Sequence, residues 1–139
     1  MRYLKVFENF DYDNLEEEVK DLAEQSLAYL LDDGWEIKTN LYNSNWGKDK
    51  VLYLSIEPPH DGDFYERSWN EIEDRIIPFF QLLERRYKLE DQSNNRSGRP
   101  YVVYDEYNNR IDYSLKYLCS DTRQDFLIRK ISIVVKGRL

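Results

Sequence analysis

Glu57, His60, Asp61 and Asp63 stand within a single short stretch, Glu-Pro-Pro-His-Asp-Gly-Asp, and bring three carboxylates beside the only histidine of the chain. Oxygen-rich clusters of this kind hold Ca²⁺ or Mg²⁺, and a histidine with two aspartates is a donor set for a transition metal. A metal-dependent enzyme built on this loop is therefore one reading of the sequence. The spacing matches neither the calcium loop with its bidentate glutamate nor a zinc signature. Pro, Asp and Gly together also make an ordinary solvated turn. As the sole histidine, His60 would have to carry any imidazole acid–base step.

A second constellation lies further on. Arg85, Arg86, Lys88, Arg96 and Arg99 surround Tyr87 and Tyr101. Cations interleaved with aromatics suit single-stranded nucleic acid, where stacking contributes roughly 1–3 kcal/mol per base. Opposing this are the net charge of −7 and a pI near 4.8, since nucleic-acid-binding domains are usually basic. Basic side chains near a helix C-terminus also have a structural reason, because the helix dipole favours them there. Trp46, in Asn43-Ser44-Asn45-Trp46-Gly47, occupies a hairpin tip with few apolar neighbours, where an aromatic anchor for a protein partner would sit. Cys119 ends the apolar Tyr117-Leu118-Cys119 and reads as a buried structural thiol without a basic activator. A lone cysteine forms no internal disulfide, which points to a reducing compartment. The chain has no nucleophile elbow, phosphate-cradling glycine loop or dinucleotide fingerprint, so no cofactor is implied.

The elements that must hold these groups follow from periodicity. Tyr3–Phe7 alternates as a short strand. Asp13 or Asn14 then offers an N-cap, Glu16, Glu17 and Glu18 load a first turn, and Leu15, Val19, Leu22, Leu27 and Leu30 give a helix over about 14–33. Gly34 is placed to end it in the left-handed conformation, with Trp35 packing back. Residues 35–41 and 51–56 alternate as two strands of a hairpin. Residues 58–67 read as a loop, and Ser68-Trp69-Asn70-Glu71 as a capping box opening a second helix. The buried stripe of that helix runs Trp69, Ile72, Ile76, Phe79, Phe80, Leu83 and Tyr87, with a kink expected from Pro78. Residues 90–100 form a loop. Strands follow at Tyr101–Tyr104, Arg110–Leu118 and Phe126–Val135, the first two joined by a turn over 106–109. This order predicts one α+β domain over 1–139: a mostly antiparallel sheet with both helices on one face, in a ferredoxin-like βαββαβ order plus a C-terminal hairpin.

The apolar fraction of 41% and aromatic fraction of 15% suit a packed domain of 139 residues. No run is long and apolar enough for a membrane span, so a soluble protein without membrane contact is expected. Residues 1–74 carry 19 acidic and 7 basic side chains and residues 75–139 carry 8 and 13; in one compact domain the two halves are expected to interleave.

Met1, Lys5, Phe7, Glu8 and Phe10, with Arg2 in place of a lysine, resemble the M-[KR]-x-x-K-[LV]-F-E-x-F opening of uncharacterised small proteins of T-even-type tailed bacteriophages. Tyr29-Leu30-Leu31-Asp32-Asp33-Gly34-Trp35 and Ile76-Ile77-Pro78-Phe79-Phe80 are similar to uncharacterised marine phage sequence. The resemblance implies phage origin and residence in the cytoplasm of an infected host. Some such openings are detachable capsid-targeting peptides, whereas the alternation of Tyr3–Phe7 predicts an integral strand. The leading functional reading is a non-catalytic protein-interaction module with a host or virion partner. A single-strand binder using 85–101 is the alternative, and the metal-dependent enzyme comes third. Dimerisation through an open sheet edge is a further expectation.

Overall fold

The chain enters as a helix. The computed structural model describes residues 2–43, 50–92, 99–115 and 125–139, and α1 runs from Arg2 to Ser26. The strand expected at Tyr3–Phe7 is therefore helical, and Asp13 and Asn14 lie inside the helix instead of capping it. Five alternating residues are too few to separate the two periods, and Tyr3, Phe7 and Phe10 recur equally well at helical spacing. Leu15, Val19 and Ala23 are buried along α1, while Leu27 breaks it before a short α2, Ala28–Asp32. Gly34 then takes φ +94°. Its N–H donates to the Leu31 carbonyl at 3.0 Å, and the Trp35 N–H reaches back to the Leu30 carbonyl at 3.0 Å. This is a Schellman stop whose apolar contact is Trp35 against Leu30, both buried.

The expected hairpin forms. Strand β1, Glu36–Asn43, pairs antiparallel with β2, Lys50–Glu57, without a register shift from Glu36↔Glu57 to Asn43↔Lys50. The stretch read as a plain loop contains a miniature hairpin, β3 (His60–Asp61) with β4 (Phe64–Tyr65), turning at Gly62 with φ +57°. Helix α3, Trp69–Arg86, opens with the N-cap half of the predicted box, Ser68 Oγ accepting from the Glu71 N–H at 3.3 Å. It carries Pro78 in its interior and continues to Arg86. Tyr87 is buried, as its place in the stripe suggests, but it is the first residue of β5, Tyr87–Leu89, with extended backbone.

Strands β6, Tyr101–Asp105, and β7, Arg110–Tyr113, flank a turn in which Asp105 Oδ1 accepts from the N–H groups of Tyr107 at 3.0 Å and Asn109 at 2.7 Å. The last strand, β8, spans Ile128–Arg138. Among the described residues, six strands form one sheet in the order β1-β2-β8-β6-β7, with β5 also paired to β8 and every pairing antiparallel. The architecture is α+β. The βαββαβ order is not formed, because it needs a strand where this chain begins with α1.

Alternation along each strand separates the two sheet faces. Leu52, Leu54, Ile56, Tyr101, Val103, Ile131, Ile133 and Val135 join the helix side chains in one buried cluster. Phe80 stacks on Tyr101 at 3.8 Å, seating α3 on that face. The acidic front and basic back meet where Glu18 of α1 holds Arg138 at 2.9 Å; within the front, Asp33 holds Arg67 at 2.7 Å. Among the described residues no helix is long and apolar enough to cross a membrane.

Candidate functional site: a groove on the outer sheet face

With α1 and α3 on one face, the same period of two leaves Lys38, Asn40 and Tyr42 of β1 and Val51, Tyr53, Ser55 and Glu57 of β2 pointing away from the helices. Lys130 and Val134 of β8 and Arg110 of β7 share that side. Together with Glu90, Asp91 and Gln92, which follow β5, they line a groove of about 840 Å³. Gln92 pins the wall to the sheet, its Nε2 donating to the carbonyls of Pro100 at 3.0 Å and Ser132 at 2.9 Å.

Two tyrosines stand open in this groove. Tyr42 and Tyr53 are 52% and 37% exposed, and their rings meet edge to face with centres 5.8 Å apart. An edge-to-face pair is a favoured aromatic arrangement, so each ring holds the other in place. The surrounding cations are already engaged. Lys38 Nζ lies 2.9 Å from Glu57 Oε2, and that hydrogen bond raises its pKa above the ordinary value. Arg110 donates to Asp112 at 2.9 Å, which raises the pKa of the guanidinium further, and also to the Gln92 carbonyl. Lys130 Nζ sits 5.1 Å from the centre of the Tyr104 ring, within cation–π range. The result is an aromatic patch ringed by internally balanced charge. Such a surface can bind.

The metal constellation does not assemble. Glu57 lies in the groove against Lys38, whereas His60 and Asp61 are in β3. His60 Nδ1 is 2.8 Å from the Gly62 carbonyl, and its ring stacks on Tyr65 at 4.9 Å, with the Arg129 guanidinium 5.4 Å from the same Tyr65 ring. These contacts give His60 a structural role in its hairpin. Among the described residues no three His, Cys, Asp or Glu side chains gather to hold a metal ion.

The nucleic-acid constellation is divided. Arg85 and Arg86 close α3, and Lys88 is exposed on β5. Tyr101 is fully buried, and its hydroxyl donates to the Phe80 carbonyl at 3.0 Å, so its ring is part of the core and offers no stacking surface. Arg99 is partnered. Arg96, Trp46 and Cys119 lie outside the described residues. Trp46 belongs to the connection between Asn43 and Lys50, the ends of the two strands that carry Tyr42 and Val51.

Tyr42 and Tyr53 do not stand out in the sequence as site residues. Tyr53 occupies an outward position of the predicted second strand, whereas Tyr42 lies just past the predicted end of the first and becomes an outward strand residue because β1 runs on to Asn43. No protein-family model, curated protein or solved structure matches this chain.

Proposed function

We propose that this protein is a non-catalytic protein-interaction module whose outer sheet face takes an extended segment of a partner protein. The observation that supports this reading is the exposed Tyr42–Tyr53 pair, set in a groove whose cations are balanced by Glu57 and Asp112. Rigid, amphipathic tyrosines are the side chains on which protein interfaces concentrate their energy. Balanced charge favours a partner that offers both signs at the rim and an apolar side chain at the centre. The pairing of Lys38 with Glu57 and of Arg110 with Asp112 weakens the attraction for a polyanion. The resemblance of the chain's opening supports a phage origin, with a host or virion protein as partner in the infected cell.

The test is selection of short random peptides on the immobilised chain, compared with a Tyr42→Ala/Tyr53→Ala double variant. The expected result is a family of peptides with an apolar centre and both charges, each bound at least about tenfold more weakly by the double variant, whose circular dichroism spectrum at the assay temperature should match wild type. Equal retention by both proteins would sink the reading. A second reading, single-strand binding by the same face, draws on Tyr53, Tyr104 and Lys130, because open sheets stack bases on outward aromatics. Fluorescence anisotropy of a labelled oligothymidine at low salt tests it; binding lost in Tyr53→Ala would favour this reading over the first.

A further inference from the structure

We propose that β1 pairs with β1 of a second copy of this chain, antiparallel and centred on Thr39, so that two sheets join into one. Strand β1 is an edge of the sheet, has eight residues, and pairs with β2 alone among the described residues. The other edge, β7, has four. A free edge presents a row of unpaired N–H and C=O groups, and proteins blunt such edges with proline, bulges, shortness or charged side chains, of which β1 carries Glu36 and Lys38. Glu-Ile-Lys-Thr-Asn-Leu-Tyr-Asn contains no proline or glycine, and its pairing with β2 has no register shift.

The occupant follows from the self-complementarity of the strand. An isologous contact places residue i against residue j and j against i. Centred on Thr39, the antiparallel register sets Ile37 against Leu41 on the helix side, and Thr39 against its own mate. On the outer side it sets Glu36 against Tyr42 and Lys38 against Asn40. Apolar Ile37 and Leu41 meet on the core side, and no two like charges face one another directly. A register centred one residue earlier would oppose Lys38 to its own mate and is disfavoured. The chosen register brings Glu16, which accepts from Thr39 Oγ1 at 3.1 Å, toward its mate, and salt screens that repulsion. The backbone pairing is made along the strand edge, but its outer side chains Lys38, Asn40 and Tyr42 also line the groove, so the oligomeric state is measured with no groove ligand present.

Sedimentation velocity over a range of concentrations tests the proposal with the full chain. Wild type should shift from monomer to dimer as concentration rises. Asn40→Lys sets a second ammonium opposite Lys38, twice by symmetry, and should weaken the dimer by on the order of tenfold, whereas Asn40→Glu sets opposite charges there and should tighten it. Asn40 is exposed, so both variants should keep the wild-type circular dichroism spectrum. As a second readout, Thr39→Cys in a Cys119→Ser background should close a disulfide between copies under mild oxidation, since directly paired residues have Cα atoms within bonding reach. A wild type that stays monomeric throughout would overturn the inference, as would a dimer on which the two Asn40 substitutions act alike or a Thr39→Cys protein that does not cross-link.

Discussion

Glu18 accepts from Tyr87 Oη at 2.6 Å and from Arg138 Nη2 at 2.9 Å, joining α1 to β5 and to the end of β8. These two hydrogen bonds, Arg138's first, hold its pKa below the ordinary value of 4.5, while burial and the neighbouring carboxylate raise that of Tyr87. A carboxyl whose folded pKa is depressed adds stability above its unfolded value and loses it as pH falls through the folded one. The group is 43% exposed, so its worth is discounted to about 0.5–1 kcal/mol. Glu18→Gln is expected to cost about that much at neutral pH, with the gap to wild type closing in acid below 4.5. Urea denaturation across that range measures it; a gap that persists in acid would show that charge is not the cause. By sequence alone Glu18 only loads a first helical turn, and contact with residues far along the chain reveals its actual work.

Helix α3 shows what local sequence can and cannot reveal about an element. Its first three N–H groups are all satisfied: Trp69 by the Phe126 carbonyl at 2.9 Å, Asn70 by Asp125 Oδ1 at 2.9 Å, and Glu71 by Ser68 Oγ at 3.3 Å. The Ser68–Glu71 box is legible because its two members lie three residues apart. Asp125 is not, since it arrives from 55 residues downstream. Ser68→Ala and Asp125→Ala should each destabilise the protein by about 1 kcal/mol, as read by chemical denaturation, and an unchanged midpoint in Asp125→Ala would remove it from the cap. The opposite lesson comes from α1. Residues 3–7 satisfy strand and helix periods equally, so their state is decided by the helix that follows them.

At the scale of the molecule, β8 organises the sheet. It pairs with β2 through Ile131–Val135, with β6 through Ile128–Ile133, and with β5 through Val135–Arg138. Strands flanked on both sides open only when the whole domain opens. In native-state hydrogen exchange, amides of Ile131–Val135 should therefore be the slowest, and those of β7 should exchange faster. Protection of β7 equal to that of β8 would contradict this order. The same architecture creates the groove, because placing all the helix contacts on one face leaves Tyr42 and Tyr53 without a covering layer.

The amino-acid sequence by itself determined the features that depend on near neighbours. These are the buried stripe of α3, the Gly34 stop with Trp35 behind it, the alternation of β1 and β2, and the turn over 106–109. Each rests on a period or a dihedral preference spanning a few residues. Tertiary structure alone decided the rest. It buried Tyr101 under Phe80 and so withdrew it from any stacking surface, tied Glu57 to Lys38, made Tyr87 a strand residue, and ran residues 2–10 into α1. The physical reason is common to all four. Which face of an element is covered, and by what, is a sum over contacts between residues far apart in the chain, and no local window contains that sum.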